Sequence, residues 1–248
     1  MSSEFILETQ GVSKFFGGLR ALHDVNVRIP TGKITGLIGP NGAGKTTLFN
    51  IISGTYRSSL GTLSFKNQDI SRISPHNAAK LGISRTFQLV KVFPSLTVLE
   101  NVLIGALNGS KSLVSYQDGL EGAARALEFI GMDKHSHELV SSLVLTDRKK
   151  IELARALATN PELLLLDELI AGLNPQESAE FLEILRKINS EKKITIIMVE
   201  HIMKAVMGIS DMIFVLNYGE KIAEGTPKEI VNNEKVIEAY LGDEPPEV

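Results

Sequence analysis

The sequence predicts an α/β fold built on a parallel sheet, and three observations carry that reading. The first is a phosphate-loop pattern, GxxxxGK[ST], filled by Gly39-Pro40-Asn41-Gly42-Ala43-Gly44-Lys45-Thr46-Thr47. It lies between a short apolar run, Ile34 to Ile38, and the apolar helix face of Leu48-Phe49-Asn50-Ile51-Ile52, so strand, loop and helix follow in order. The second is the run Glu162-Leu163-Leu164-Leu165-Leu166, a continuous apolar strand of the kind that parallel sheets bury on both faces. The third is alternation near the C-terminus: helical patterns over 175–188 and 201–207 interleave with strands over 194–199 and 212–216, which implies βαβ units.

Taken in order, Phe5-Ile6-Leu7-Glu8-Thr9 and Val25-Asn26-Val27-Arg28-Ile29 are expected as strands, the second with period-two alternation. Pro30-Thr31-Gly32-Lys33 forms a turn into the phosphate-loop strand. Another strand is expected over 60–65, and a short helix over 75–81 with Pro75 near its first turn. From 99 to 139 the pattern is mostly helical. Ala123, Ala124, Leu127, Phe129 and Ile130 form an apolar stripe there, and Gly131 supplies a stop. A strong helix follows over 147–158, burying Ile151, Leu153, Ala154, Leu157 and Ala158. Tyr218-Gly219-Glu220-Lys221 reads as a hairpin turn, and 227–241 as short closing helices. No internal repeat or low-complexity run interrupts the chain.

A chain of 248 residues holds one α/β domain or two small ones, and no Pro/Gly/Ser linker divides it. Its 43% apolar and 22% charged residues are ordinary globular composition, and a net charge of −3 argues against nucleic acid as the main partner. The absence of cysteine removes disulfides and thiolate metal sites and fits a reducing compartment. The start, Met1-Ser2-Ser3-Glu4, lacks signal-peptide character, and no apolar run approaches the ~18 residues of a spanning helix. A soluble chain is therefore expected, with any membrane role exerted through a partner.

The chemistry follows from the loop. Gly39, Gly42 and Gly44 can take positive φ and carry no Cβ, so successive N–H groups can form an anion nest at the positive end of a helix. Lys45 then reaches the β- and γ-oxygens of a nucleoside triphosphate as a point charge, and the Thr46 hydroxyl is placed for Mg²⁺. Asp167 and Glu168 stand at the C-terminal end of the apolar strand, where open α/β sheets collect ligands. Asp167 suits the Mg²⁺ shell, and Glu168 suits polarising an attacking water. The plain alternatives are a Gly-rich turn with a solvated lysine, and a strand that exits into solvated acids.

With these motifs in place, the chain resembles the ATP-binding subunit of an ABC (ATP-binding cassette) transporter over nearly its whole length. Phe16-Gly17 is similar to the aromatic loop that stacks on adenine in that family. Gln88, in Arg85-Thr86-Phe87-Gln88, matches the glutamine that touches Mg²⁺ and the water and links to the membrane subunit. Ala171-Gly172-Leu173-Asn174-Pro175 matches the D-loop, and His201, in Met198-Val199-Glu200-His201, the switch histidine at the γ-phosphate. Singly, Phe16 reads equally as a core aromatic, Gln88 as a loop amide and His201 as a helix-start residue. Their joint order around the phosphate loop favours the family. His23, His76, His135 and His137 stay unclaimed, and a metal site among them is not expected.

The resemblance implies an α/β fold in which a RecA-like ABC ATPase core holds the phosphate loop, with an N-terminal antiparallel β part and a helical subdomain near 89–155. The whole of 1–248 then forms one ABC ATPase domain. Phe16-Gly17-Gly18-Leu19-Arg20-Ala21-Leu22, Leu96-Thr97-Val98-Leu99-Glu100-Asn101-Val102, Ala154-Arg155-Ala156-Leu157-Ala158-Thr159-Asn160-Pro161 and the tail Glu238-Ala239-Tyr240-Leu241-Gly242 are similar to the branched-chain amino-acid importer ATPases. For such an importer ATPase the resemblance implies ATP and Mg²⁺ as cofactors, membrane permease subunits and a second ATPase subunit as partners, and a substrate-binding protein acting indirectly. The location implied is cytoplasmic, peripheral on the inner face of the cell membrane.

The chain also departs from the pattern. Where most members read Leu-Ser-Gly-Gly-Gln, it has Leu143-Val144-Leu145-Thr146-Asp147. A hydroxyl and both glycines are lost, and Asp147 brings negative charge towards an anion site. Thr146 is expected as a compensating N-cap, with Arg148, Lys149 and Lys150 restoring positive potential. Leu169 and Ser59 also replace prolines common in the family. The degraded signature favours a heterodimer over a homodimer. It also motivates a rival reading as a regulatory nucleotide-binding protein with weak hydrolysis. Export of lipid or lipopolysaccharide, and a soluble ABC ATPase role in DNA repair or translation, are two further rivals.

Overall fold

The computed structural model describes residues 4–88, 90–109 and 115–241. Met1 to Ser3, Leu89 at the start of the expected helical subdomain, 110–114 within the helical stretch, and Gly242 of the tail similarity lie outside the described residues. Along the chain run β1 (Phe5–Phe16), β2 (Leu19–Val25), β3 (Arg28–Pro30), β4 (Ile34–Ile38), α1 (Lys45–Ile52), β5 (Leu60–Phe65), β6 (Gln68–Asp69), α2 (Pro75–Leu81) and β7 (Ile83–Arg85). Then come α3 (Val98–Gly109), α4 (Tyr116–Phe129), α5 (Leu145–Ala158), β8 (Leu163–Asp167), α6 (Pro175–Lys192), β9 (Thr195–Val199) and α7 (Met203–Ile209). The chain closes with β10 (Met212–Asn217), β11 (Glu220–Gly225), α8 (Pro227–Val231) and α9 (Glu234–Leu241). It divides into two compact units, Met1–Ser74 with Thr195–Val248, and Pro75–Ile194.

The first unit holds an antiparallel set in which β1 pairs with β2, β3 and β5. It also holds the strands β11, β10, β4 and β9, in which β4 pairs in parallel with both β10 and β9. Every residue of β4 and β9 is buried, which is why both read as unbroken apolar runs rather than alternations. Two differences from the sequence reading have local causes. β1 continues from Thr9 to Phe16 because Gly11, at φ +63°, sits in an irregularity of the ladder instead of ending it. The strand expected over 25–29 is split, because Asn26 spends its side chain on local backbone: Oδ1 accepts from Gly11 N–H at 2.8 Å and Nδ2 donates to the Asp24 carbonyl at 2.7 Å. The alternation still pointed Val25 and Val27 inward.

In the second unit β7 pairs in parallel with β8, and α3, α4 and α5 pack on one another. Ala123, Leu127 and Ile130 of the expected stripe are buried, Ala124 is exposed, and Gly131 takes φ +73° just past α4. The Leu96–Val102 segment has a physical purpose. Glu100 accepts from Thr97 N–H at 2.7 Å and from the Thr97 hydroxyl at 2.9 Å, while Glu100 N–H donates to that hydroxyl at 3.2 Å, a reciprocal capping box that starts α3. These hydrogen bonds, the Thr97 N–H first, hold the Glu100 carboxyl below its ordinary pKa. One turn on, the fully buried Asn101 accepts from Phe93 N–H at 2.8 Å and donates to the carbonyls of Phe93 at 3.0 Å and Thr97 at 2.9 Å.

Replacing that amide with an apolar group of similar size strands the Phe93 backbone in the interior. Asn101→Leu is therefore expected to cost about 3 kcal/mol of stability, from the desolvation of unpaired N–H and C=O groups. Urea denaturation checks this; a loss below about 1 kcal/mol would mean the loop re-pairs with solvent.

Candidate functional site

The phosphate loop leaves β4 at Gly39 and enters α1 at Lys45. Gly39, Gly42 and Gly44 have φ of +151°, +78° and +100°, all in the range that favours glycine. Two of them are also pressed against neighbouring backbone. A Cβ on Gly39 would lie 2.0 Å from the Leu216 carbonyl oxygen, and one on Gly44 2.7 Å from that of Ala21. Gly44 is the N-cap of α1, offers no side-chain cap, and no acidic residue occupies the first turn, so the helix end keeps its positive character for a ligand. Lys45 is buried; its Nζ donates to the carbonyls of Gly39 at 2.6 Å and Pro40 at 2.9 Å. Thr46 is exposed and Thr47 half-buried.

A cavity of about 570 Å³ opens beside the loop, lined by Gly39, Pro40, Asn41, Gly42, Ala43, His201, Asn217, Tyr218 and Tyr240. His201 is exposed and follows Glu200, which is buried directly after β9. Phe16, at the end of β1, is 41% exposed and so is not a core aromatic. Its ring meets Tyr56 edge-on with centroids 5.4 Å apart, and Lys14 Nζ lies 4.9 Å from its centroid.

The acids belong to the second unit. Asp167 ends β8, and its Oδ2 accepts from Arg85 Nη2 at 2.7 Å, both side chains almost wholly buried. The Asp167 N–H donates to the Thr86 hydroxyl at 3.4 Å. Glu168 adopts φ +50°, a left-handed conformation rare outside glycine and enriched at functional positions. Its Oε2 accepts from Gln88 Nε2 at 2.8 Å, so two of the expected catalytic residues are in contact. The hydroxyl, carboxylate and amide oxygens of Thr46, Asp167 and Gln88 are hard donors, the chemistry that Mg²⁺ takes.

The altered signature segment behaves differently from the expectation. Val144 is the N-cap of α5 and makes no side-chain cap bond. The Thr146 hydroxyl instead donates to Glu177 Oε1 at 2.6 Å, at the start of α6, where Asn174 and Glu177 form a capping box. Of the three cations, Arg148 donates to the Ser141 carbonyl at 2.9 Å and buried Lys149 to the Leu169 carbonyl at 2.6 Å, while Lys150 lies 3.9 Å from Glu180. The compensation expected from Thr146 and Lys149 is thus spent inside the unit.

Sequence reading missed three residues. Arg85 stood within a quoted motif, but its partner is 82 positions away. Glu152 is an acid hidden in a stripe of apolar residues. Tyr240, on α9, lines the phosphate-loop cavity and also packs on the core around Ile38. Burial pushes the Tyr240 phenol up to about 12, against a smaller lowering by the Gly39 N–H. A raised folded pKa means that the folded state holds the proton more tightly, so stability that is complete below pH ~10 is lost as pH rises towards ~12. The difference in tyrosinate absorbance between wild type and Tyr240→Phe is expected to titrate near 12. A midpoint near the ordinary ~10 would place the phenol in solvent.

Known proteins share both the fold and the sequence. The ABC transporter family model matches residues 22–171, and a model of the branched-chain amino acid ATP-binding cassette transporter matches 220–245. The chain is 41% identical to the high-affinity branched-chain amino acid transport ATP-binding protein LivG of Escherichia coli, over 97% of this chain and 99% of that protein. It is 37% identical to the corresponding protein BraF of Pseudomonas aeruginosa, over 96% and 98%. The crystal structure of an ATP-binding cassette of an ABC transporter in its ADP conformation superposes with a TM-score of 0.87 at 33% identity, covering 97% of this chain and all of that one.

Proposed function

The chain belongs to the ABC transporter family of ATP-binding cassettes, and from that membership we propose that it binds and hydrolyses MgATP to power uptake of amino acids, the branched-chain ones foremost, through membrane permease partners. The observation that carries the reading is the phosphate loop, with three glycines at positive φ and the buried Lys45 donating to the carbonyls of Gly39 and Pro40. The family model crosses both compact units, which supports reading 1–248 as one cassette with its helical subdomain near 89–155. Identity to the two branched-chain amino acid relatives over nearly the whole chain, and the match of the tail to their family's model, support the cargo.

In this reading the N–H groups of Gly39 to Lys45 cradle the phosphates and the Lys45 ammonium exchanges loop carbonyls for phosphate oxygens. Thr46, Asp167 and Gln88 are the residues that would hold Mg²⁺, which would supply neutralisation of developing phosphate charge. Arg85 orients Asp167 for that task. Glu168, held by Gln88, orients or deprotonates the attacking water, His201 answers the γ-phosphate, and Phe16 stacks on adenine, buttressed by Tyr56. None of the helices described is long and apolar enough to cross a membrane. In this reading, association with the inner face of the cell membrane runs through the permease subunits, with a substrate-binding protein acting on their far side.

The signature segment supports a second ATPase chain as partner. The bare Val144 cap and the engaged Thr146 leave α5 a poor contact for a γ-phosphate held by another protomer. A partner with an intact signature would complete this chain's own site. One set of assays tests the whole reading: ATPase activity of the chain alone, of the chain with its transport partners, and of the assembly carrying Glu168→Gln. Activity is expected to be low alone and brisk in the assembly. The Gln variant is expected to lose about 10²–10⁴ in rate while keeping its ATP affinity. Undiminished turnover in the variant removes Glu168 from the chemistry, and brisk activity of the isolated chain removes the heterodimer.

A further inference from the structure

We propose that Glu152, on α5, is a positioning residue that fixes the loop carrying Gln88 and so aligns Gln88 on Glu168. The proposal rests on the reading of Gln88 and Glu168 as residues of the hydrolytic step. Glu152 is 2% exposed, a carboxyl in a stretch of α5 that also buries Ile151, Leu153 and Ala154. An acid in that position is costly unless it is paired, so its partners say what it is for. Oε1 accepts from the N–H of Phe87, the residue before Gln88, at 3.1 Å. Oε2 is buried without a hydrogen-bond partner among the described residues, and Arg155 Nη2 stands 4.0 Å from Oε1. The Phe87 N–H thus makes the closer contact with the buried carboxyl. If the loop moves off, Oε1 loses that hydrogen bond in the interior, and that couples the position of the Gln88 loop to the position of α5.

The same helix holds the other half of the pair. Lys149, three residues before Glu152 and on the same face, donates to the carbonyl of Leu169, the residue after Glu168. One acid and one base of α5 thus fix the two segments between which Gln88 Nε2 donates to Glu168 Oε2 at 2.8 Å. Burial drives the Glu152 pKa above the ordinary carboxylate value; the Phe87 amide, Arg155, the Lys91 amide and Lys149 oppose the rise.

The experiment is a double-mutant cycle between position 152 and Gln88, run on the chain assembled with its transport partners, with amide exchange measured on the full chain. Glu152→Ala is expected to lower kcat about tenfold through misalignment, with KM for ATP within about twofold. Glu152→Gln keeps a carbonyl oxygen for the Phe87 N–H and is expected to restore most of kcat. In a Gln88→Ala background the Glu152→Ala change is expected to cost almost nothing more. The amide of Phe87 is expected to exchange faster in Glu152→Ala than in wild type. Wild-type protection of that amide, or an equal loss of kcat in both backgrounds, would overturn the proposal. A Gln88→Ala variant that hydrolyses like wild type would instead overturn the catalytic assignment of Gln88 and with it the effect on kcat, and the amide exchange would still decide the clamp.

Discussion

The close approach of backbone to the phosphate loop is the constraint on which the first unit depends. Gly39 sits against the Leu216 carbonyl only because β10 pairs with β4 in the register Phe214 to Leu37 and Val215 to Ile38. Gly44 sits against Ala21 only because β2 passes beneath the loop's exit, and the turn after β10 locks the two together. Gly219 N–H donates to the Ala43 carbonyl at 3.1 Å, and the Gly219 carbonyl accepts from His23 N–H at 2.8 Å. A side chain at either loop glycine would force these strands apart. The antiparallel strands, the parallel strands and the hairpin turn 218–219 are thus all supports for one loop of backbone amides.

The second unit is organised around buried charge. Arg85 meets Asp167, Lys149 meets the Leu169 carbonyl, and Glu152 meets the Phe87 amide beside Gln88. Interior charges of this kind add little net stability even when well paired, yet losing one partner is costly. Their effect is to give the segments around Gln88 and Glu168 a single arrangement. The left-handed backbone at Glu168 is strain that such surroundings can hold in place.

What the sequence made legible is what short spacing encodes. The phosphate loop, the buried strands β4, β8 and β9, and the acids at the end of β8 were readable because each is a contiguous pattern with one physical meaning. The Leu96–Val102 motif was readable as a resemblance, and its capping box and the buried Asn101 now give it a cause. Long-range partnering was not readable. Nothing near Arg85 announces Asp167, and an acid amid apolar residues on α5 carries no sign of a loop amide 65 positions away. Thr146 misled because a hydroxyl near a helix start reads as a cap, whereas Glu177 of the next helix competes for it and wins with a 2.6 Å bond. The break between β2 and β3 was hidden for a similar reason: the burial alternation of Val25 and Val27 survives even though Asn26 has taken the backbone out of the strand.

The central claim is that the loop from Gly39 to Thr46 is a triphosphate site whose charge is supplied by Lys45. Equilibrium titration of the full chain with ATP, in wild type and in Lys45→Ala, tests it most directly. Losing a charge-assisted contact of about 1.5–3 kcal/mol is expected to weaken ATP binding by roughly ten- to a hundredfold, with the folded state retained. Equal affinity of the two proteins for ATP would contradict the account.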